Sequence, residues 1–441
     1  PSRPRRPRRR PPITSRNLID VPDVPPTGAE TARPLRVLIG GDTFAPDVNG
    51  AAKFAERLAA GLVERGHEVH VVAPGAESGP NSTAIEVHEG QPMTVHRLRS
   101  WRWYPHPWLR YALPWRIEPN AARLLDEIKP DVVHFQSHIV VGRGLAREAV
   151  KRGIRLIGTN HFMPENGLQF TPFIGPLREP AIRAAWNAAA RTFGLAEAVT
   201  TPTRKAADYI ERYTYLRGVY PISCGLHIDH YTPNLEPRSE NVVLFLGRVE
   251  SEKHIDELLR AAAMLDPELD VKVEIIGDGE QRPALERLAA QLGISHRVHF
   301  AGHAPESYLK QQLTRASVFA MPSRAELQSI ATMEAMASGL PIIGANAMAL
   351  PHLIHDGENG YLYEPGDVPR FAELLTKVFT MPHDELLALK RESLSIVADH
   401  DINRTLDTFE ALYRGEHVPA PVSSESDARG HDTQSTDSSR D

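Results

Sequence analysis

Short apolar runs alternate with amphipathic segments along the first half of the chain. The run "LRVLIGG" ends in glycines and predicts a buried strand. The segment "FAERLAAGLVERG" that follows places Phe54, Leu58 and Leu62 four residues apart, on one face of a helix. Gly66 ends that helix, and "HEVHVVAP" predicts the next strand. Because this β-α-β order recurs through "DVVHFQ", "IRLIGTNH" and "EAVTTPT", it indicates a parallel sheet.

A second series of the same kind follows a proline-rich connection, "YTPNLEPRSEN". Its strands "NVVLFLGRVE", "KVEIIGDGE", "RVHFAGH", "SVFAMPS" and "PIIGAN" alternate with helical segments. We therefore predict two doubly wound, Rossmann-like α/β domains that face each other across a cleft. Ligands of such domains bind at the carboxyl ends of the strands.

The domain boundaries follow from shifts in composition. The first domain is predicted over residues 35–215, and the linker and second domain over 216–395, with a helix near 396–416 that packs back on the first domain. Residues 1–34, rich in Arg and Pro, and residues 417–441, rich in Ser and Asp, are predicted to be disordered tails. The basic tail could contact anionic lipid or nucleic acid, but an unconstrained tail is the simpler interpretation.

Composition excludes several classes of protein. The charged fraction of 24% and hydrophobic fraction of 41% are those of a globular protein. No apolar run reaches the roughly 18–20 residues of a membrane span, and no secretion signal is visible. The one cysteine, Cys224, allows no internal disulfide, so a cytoplasmic location is expected. The net charge of −6 argues against a nucleic-acid partner.

Glycines and cations follow the predicted strands. Gly50 begins the helix after the first strand, and His161 follows "IRLIGTN". Gly247 and Arg248 end "VVLFLGR", with Lys253 five residues beyond Arg248. Cations and glycines at strand ends, beside helix N-termini, are suited to binding a diphosphate.

Two carboxylates follow the strand "SVFAMP". Glu326 and Glu334 are eight residues apart, which is about 12 Å if the chain between them is helical. That is roughly the span of a nucleotide sugar from ribose to hexose. Gly339 and Pro341 would end this helix. Taken alone, the spacing also fits two unrelated helix carboxylates.

In combination, these motifs resemble the retaining glycosyltransferases of family 4, which have the GT-B fold. No single motif decides the resemblance, but their order and spacing along the chain are specific. The matching segments are "FAPDVNGAAKF", "GHEVHVVAP", "DVVHFQS", "TNH", "TPT", "ISCGLHIDHYTP", "GRVESEK", "IIGDGE", "VHFAGH", "PSRAELQSIATMEAMASGLP" and "DGENGYLYEPGD".

The resemblance implies a role for each matching residue. Gly50 would let the first domain approach the donor phosphate, and His161 would lie beside the transferred sugar. Arg248 and Lys253 would neutralise the departing diphosphate. Glu334 would bind the ribose hydroxyls, and Glu326 the hexose. The backbone amides of Leu327, Gln328 and Ser329 would complete the phosphate site, and Gly302 and His303 would lie at the base.

The resemblance implies retention of configuration, with no protein nucleophile, cofactor or metal. The Asp-x-Asp at Asp399–Asp401 follows no strand, and we interpret it as the cap of a helix. His227, Asp229 and His230 could bind a metal, but they match an interdomain element of the family, so a structural role is favoured. The chain departs from the family pattern at Cys224, where Asn is usual, and at Pro351–His352, where Pro-Glu is frequent.

An aromatic and basic segment, "RSWRWYPHPWLRYALPWR", lies in the first domain. Tryptophan, tyrosine and arginine suit a bilayer interface, which favours a lipid acceptor. Stacking on a soluble sugar acceptor and simple core or lid packing are the alternatives, and the prolines argue against an amphipathic helix. The candidate acceptor or membrane residues are Trp101, Trp103, Trp108, Arg110 and Trp115.

The sequence thus predicts a hexosyltransferase that moves a sugar from a nucleotide sugar, with UDP favoured, to a membrane-lipid or glycolipid acceptor. Peripheral contact with an anionic membrane is expected. A GDP-mannose donor or a soluble acceptor is the alternative within the same class. An epimerase, a phosphorylase and a non-catalytic sugar-nucleotide-binding scaffold are the rivals outside it.

Overall fold

The computed structural model describes residues 33–47, 49–102, 110–162 and 178–419. The tails predicted over 1–34 and 417–441 lie almost entirely outside these residues. In the described first half, the strands are β1 (Arg36–Gly40), β2 (Glu68–Pro74), β3 (Ser82–His88), β4 (Gln91–Leu98), β5 (Ser100–Arg102), β6 (Arg110–Ala112), β7 (Val132–Phe135), β8 (Arg155–Thr159), β9 (Ala198–Thr201) and β10 (Tyr220–Pro221).

The helices of the first half cover the faces of its main sheet. The side chain of Asn49 caps α1 by accepting from the backbone amide of Ala52. The described helices are α1 (Gly50–Glu64), α2 (Pro114–Ile128), α3 (Val141–Lys151), α4 (Arg178–Phe193) and α5 (Arg204–Tyr213). α2 begins at Pro114, inside the aromatic segment, because proline is well suited to the first turn of a helix.

The second half repeats this arrangement around another sheet. The residues of β11 up to its last are buried, as expected for a parallel strand with helices on both faces. Its described strands are β11 (Val242–Leu246), β12 (Lys272–Ile276), β13 (Val298–Gly302), β14 (Val318–Met321), β15 (Ile342–Ala345) and β16 (Gly360–Tyr363). The helices are α6 (Ile255–Ala263), α7 (Arg282–Gln291), α8 (Glu306–Arg315), α9 (Ile330–Ala337), α10 (Leu350–Leu353), α11 (Val368–Thr380), α12 (His383–Ala398) and α13 (Ile402–Arg414).

Both sheets are doubly wound. The first has the order β10-β9-β8-β7-β1-β2-β4-β3, parallel except for β3, which runs antiparallel to β4. The second has the order β13-β12-β11-β14-β15-β16 and is parallel throughout. The strand order reverses between β1 and β7 and between β11 and β14, and ligands bind at the carboxyl ends beside such points. The predicted fold class, two Rossmann-like α/β domains, is confirmed.

The chain crosses between the domains twice, and the crossings lie side by side. The amide of Leu226 donates to His400, and the amide of Ile402 donates to Leu226, at 2.9 and 3.0 Å. α13 then packs on α1 in the core of the first domain. None of the described helices combines the length and the apolarity needed to cross a bilayer.

Candidate active site

Three helices begin where the two domains meet. α1 begins at Gly50, and a Cβ added there would lie 4.0 Å from Cδ1 of Ile330, the first residue of α9. The hydroxyl of Thr203, which caps α5, donates to the carbonyl oxygen of Leu327 at 3.0 Å. Helix N-termini present unpaired amides and the positive end of the helix dipole, so their convergence favours an anion such as phosphate.

The loop before α9 has a sharp turn. Ser329 has φ 72° and ψ 78°, a left-handed backbone that costs a non-glycine residue roughly 1–2 kcal/mol. The continuous helix considered between Glu326 and Glu334 is therefore wrong, because this turn delays the helix until Ile330, and the 12 Å spacing does not apply. Within the described residues, the backbone amides of Leu327, Gln328 and Ser329 have no hydrogen-bond acceptor. These amides can donate hydrogen bonds to the oxygen atoms of a phosphate.

Lys253 and Glu326 form an ion pair between the ends of β11 and β14. Lys253 lies on a 3₁₀ turn after β11, and its Nζ bonds Oε1 of Glu326, with side chains 14% and 11% exposed. Desolvation raises the pKa of Glu326, but the nearby charges of Lys253 and Arg248 outweigh it, so the pKa lies below its usual value. Arg248 itself bonds Glu252 at 2.8 Å. The structure thus brings both predicted cations and one predicted carboxylate to the switch point.

Glu334 lies on α9, on the side that faces the linker. Its Oε1 accepts a hydrogen bond from the hydroxyl of Tyr231 at 3.0 Å. Desolvation raises the pKa of Glu334, and the charge of Arg57 on α1 only partly opposes this. Arg57 is buried and donates to the carbonyl oxygen of Gly225 at 2.6 Å. The predicted ribose carboxylate therefore lies within reach of a cation from the other domain.

The ends of β11, β12 and β13 form the floor of the predicted base site. A Cβ added to Gly277 would lie 1.9 Å from the carbonyl oxygen of Gly247, so only glycine allows these backbones to approach. Gly302 accepts from the amide of Gly277 at 2.9 Å. His303 follows and is exposed to solvent.

The side chain of Gln328 contacts the linker, whereas the family resemblance assigned only its backbone to the phosphate. Its Oε1 accepts from the amide of Cys224 at 2.7 Å, and its Nε2 donates to the hydroxyl of Ser223 at 2.8 Å. The amide thus holds the linker at the position where this chain departs from the family. Only the backbone of Gln328 remains for a phosphate.

His161 lies beside α1 in the first domain. Its Nε2 donates to Oε1 of Gln136 at 2.8 Å, and its ring centroid lies 4.9 Å from that of Phe54. Burial lowers the pKa of His161 to about 3. The imidazole is therefore neutral at pH 7 and can exchange hydrogen bonds with a sugar.

Sequence reasoning missed the polar network behind His161. The amide nitrogen of Gln136 lies 3.2 Å from Nε2 of His134, a residue in the middle of β7 with no exposed surface. Nδ1 of His134 lies 2.6 Å from the hydroxyl of Tyr413 on α13. The one signal in the sequence was the pair of polar residues within the apolar run "DVVHFQ".

A charged cavity of about 390 Å³ opens in the first domain and was also missed. Arg97 donates to both carboxylate oxygens of Glu86, at 3.0 and 2.6 Å. His88 bridges Glu86 and Glu56 at 3.0 and 3.1 Å, and Lys53 bonds Glu56 at 2.9 Å. Such a lining offers many donors and acceptors to a hydroxyl-rich ligand. The cavity is lined by Ala45, Pro46, Asp47, Lys53, Glu56, Glu86, His88 and Arg97.

The aromatic segment is only partly described. The guanidinium of Arg99 lies 5.0 Å from the ring centroid of Trp101, which belongs to the β5–β6 hairpin. Trp115, in the first turn of α2, is 71% exposed. Trp103 and Trp108 lie outside the described residues. The described part therefore shows one strongly exposed tryptophan and one that is covered by arginine.

This hairpin lies close enough to the charged cavity for its charge to affect a residue of the cavity lining. Arg110, on β6, donates to the hydroxyl of Ser100 at 2.8 Å. Desolvation raises the pKa of Asp47 in the cavity lining, and the charges of Arg97 and Arg110 act in the opposite direction. The cavity and the hairpin thus belong to one region of the first domain.

The two motifs that resemble metal ligands have different outcomes. Asp401 accepts from the amide of Asn403 at 2.8 Å and caps α13, so the predicted helix cap is confirmed. His227, Asp229 and His230 come together, with ligand atoms within 4.8 Å of one another. The cluster of His227, Asp229 and His230 is therefore able to bind a cation.

Comparison with known proteins bears on the fold and the family of the chain. The GDP-mannose-dependent alpha-mannosyltransferase of Mycolicibacterium smegmatis is 27% identical over 340 residues, covering 75% of this chain and 84% of that one. The structure of sucrose-phosphate synthase from Thermosynechococcus elongatus has a TM-score of 0.69 at 18% identity, over 86% of this chain and 98% of that chain. Anabaena HepE in complex with UDP-glucose has a TM-score of 0.66 at 17% identity, over 86% and 100%. The two structures establish the fold.

The two Rossmann-like domains have the GT-B fold, and their structural neighbours are glycosyltransferases of that fold. The family described as Glycosyltransferase Family 4 matches residues 48–230, and the one described as Glycosyl transferases group 1 matches residues 230–393. The chain belongs to this family of glycosyltransferases, as its motifs predicted.

Proposed function

We propose that this protein is a retaining hexosyltransferase that moves a hexose from a UDP-sugar to a hydroxyl group of a glycolipid or other membrane-lipid acceptor. The proposal of a sugar-transfer reaction rests on one observation, the placement of Lys253, Glu326 and Arg248 beside three helix N-termini. This set of groups suits a diphosphate that carries a sugar.

The reaction breaks the bond between the anomeric carbon and the diphosphate. Negative charge accumulates on the leaving oxygen, and Arg248, Lys253 and the amides of residues 327–329 are the groups proposed to stabilise it. The acceptor hydroxyl attacks from the same face and gives its proton to the departing phosphate oxygen, so configuration is retained. Glu326 is proposed to hold the hexose, and Glu334 the ribose.

Magnitudes indicate which groups dominate. A cation about 4 Å from a phosphate gains on the order of 4 kcal/mol before desolvation, at an effective dielectric near 20. A helix N-terminus contributes about 0.3–1 kcal/mol. Arg248 and Lys253 therefore supply most of the stabilisation, and the three helix N-termini orient the diphosphate. We propose that these cations do the work that a divalent metal does in other glycosyltransferases.

The acceptor is proposed to bind in the first domain. The charged cavity suits a hydroxylated head group, and its neighbour, the hairpin with Trp101 and Arg110, leads toward the exposed Trp115. An acceptor with a sugar head and a lipid tail would use both regions from the cytoplasmic side of a membrane. Trp at headgroup depth and Arg beside anionic lipid fit this arrangement.

GDP-mannose is the second candidate donor. The mannosyltransferase from Mycolicibacterium smegmatis, which is similar over three quarters of this chain, is named for that donor. Binding of UDP-glucose, UDP-galactose, UDP-N-acetylglucosamine and GDP-mannose, measured by calorimetry, separates the two. Selective binding of GDP-mannose would replace UDP, and binding of no donor would favour a non-catalytic scaffold.

The site assignment is tested with Arg248→Ala. We expect kcat/KM to fall by at least about 100-fold with little change in melting temperature, because the contact stabilises the departing charge. Arg260→Ala, an exposed arginine on α6, is the matched control. Unchanged turnover of Arg248→Ala would exclude this diphosphate site.

The lipid acceptor is tested separately with vesicles that contain anionic lipid. Trp115→Ala is expected to weaken vesicle binding, and Met264→Ala, which removes another exposed apolar side chain, is the control. If turnover is the same with and without vesicles, the acceptor is a soluble molecule.

A further inference from the structure

His227, Asp229 and His230 bring three metal-ligating side chains together on the connection between the domains. Their ligand atoms all lie within 4.8 Å of one another, and two of the three residues are exposed. An ion at their centre would lie within about 2.8 Å of each atom, so shifts of less than about 1 Å would give the ~2.0–2.2 Å bonds of a zinc site. Ions can reach this cluster directly from solvent.

The backbone that carries the cluster is fixed at both ends. Leu226 pairs with the returning chain just before α13, and Tyr231 donates to Glu334 at 3.0 Å. Between these anchors the rings of His227 and His230 stack, with centroids 4.7 Å apart and planes 15° apart. The lone pair of an imidazole lies in the plane of its ring, so both rings must rotate about χ2 to point at one ion, while the backbone that carries them is already fixed.

A carboxylate of the first domain, that of Glu89, lies beside the cluster. Oε2 of Glu89 lies 3.7 Å from Nε2 of His227, and Oε1 lies 4.0 Å from Nε of Arg57. Glu89 has a left-handed backbone, φ 46°, in the tight turn between β3 and β4. Gly90 has φ 79° as well, and positive φ at both residues is what a two-residue hairpin turn requires, so the pairing of His88 with Gln91 fixes the position of the Glu89 backbone.

We propose that His227, Asp229 and His230, with Glu89 as the fourth ligand, bind one transition-metal cation of the Zn²⁺, Co²⁺ or Ni²⁺ type. Imidazole is a preferred ligand of these ions, whereas Mg²⁺ and Ca²⁺ require a shell of oxygen atoms. The ion would join the interdomain connection to the turn between β3 and β4. The site takes no part in sugar transfer and does not depend on the proposed function.

The test uses the full chain after treatment with a chelator. ZnCl₂ is titrated by calorimetry, and CoCl₂ by the visible absorption of tetrahedral Co²⁺. We expect His230→Ala and Asp229→Asn to weaken Zn²⁺ binding by at least about 10-fold, since loss of even an outer-shell partner costs 10–100-fold. Glu89→Gln should weaken binding less. MgCl₂ should give no heat from this site.

The cluster lies on the 3₁₀ turn Ile228–His230, and the control is His296→Ala, which removes an exposed histidine on the 3₁₀ turn Ser295–Arg297. It should bind Zn²⁺ like the wild type. Zn²⁺ should also raise the melting temperature of the wild type more than that of His230→Ala. The proposal is overturned if the wild type binds no Zn²⁺, or if His230→Ala and Asp229→Asn bind it as tightly as the wild type.

Discussion

Nε2 of His161 donates a hydrogen bond to Oε1 of Gln136 at 2.8 Å. An amide oxygen can only accept, so this contact places the proton on Nε2 and leaves the lone pair on Nδ1. Burial lowers the pKa of His161 to about 3, which keeps the ring neutral. Gln136, at the end of the neighbouring strand, thus fixes the tautomer that His161 presents.

We expect Gln136→Glu to change the pH dependence of the reaction. A carboxylate at the position of the amide would favour the imidazolium and raise the pKa of His161. kcat should then fall near neutral pH and recover as pH rises, with little change in KM for the donor. Gln136→Leu, which removes the acceptor without adding charge, should lower kcat without this shift. Superimposable pH profiles for wild type and Gln136→Glu would contradict the assignment.

The substitution Glu326→Gln shows whether Glu326 acts on binding of the sugar or on binding of the phosphate. The amide keeps the shape of the carboxylate but releases Lys253 from its ion pair, so we expect the affinity for the nucleoside diphosphate to hold or rise. kcat/KM with the complete donor should fall by at least about 100-fold, because a charged hydrogen bond to the hexose is lost. Calorimetry with UDP or GDP, beside steady-state kinetics, measures both. A parallel loss of diphosphate affinity would show that Glu326 acts on phosphate binding.

The grouping of the residues proposed to bind the donor could be predicted from sequence because these residues are close together along the chain. Arg248 and Lys253 are five residues apart at the end of one strand, and the motif fixes both the strand end and the helix that follows. The left-handed turn at Ser329 could not be predicted, because serine has no preference for that backbone and the surrounding loop imposes it.

The residues proposed to lie near the acceptor are brought together by contacts between distant segments of the chain. His134 and Tyr413 are 279 residues apart and meet only because α13 returns to the first domain. The charged cavity likewise needs the pairing of β3 with β4 before Glu86 and Arg97 can face each other. Periodicity predicts such strands and helices individually, but not which side chains their packing brings together.

The stability of the protein should fall in mild acid. Burial lowers the pKa of His134 to about 3 and that of His138 to about 4, against about 6.5 in an unfolded chain. Below pH 6.5 the unfolded chain therefore binds protons that the folded protein does not. Each such histidine removes about 1.4 kcal/mol per pH unit, or about 2 kcal/mol between pH 6.5 and 5.

Urea unfolding at pH 7 and at pH 5 measures this loss. His134→Gln should be less stable at both values, since it disturbs the contact with Tyr413, but its stability should change less between them. The exposed His296→Gln should keep the wild-type difference. If His134→Gln shows the same difference as the wild type, His134 does not contribute to the pH dependence.

The contact between α1 and α13 is expected to be intolerant of even one added methyl group. A Cβ on Gly61 would lie 2.6 Å from Cδ1 of the buried Leu406. Alanine improves helix propensity by about 1 kcal/mol, but overpacking costs about 1–3 kcal/mol, so Gly61→Ala should be net destabilising by about 1 kcal/mol. Leu406→Ala alone should cost about 2–5 kcal/mol. In the double variant the new methyl group partly fills the cavity. The double variant should therefore lose less unfolding free energy than the two single variants together, by at least about 1 kcal/mol, as measured by urea unfolding. Additive losses would mean that α13 shifts away from α1 and relieves the contact.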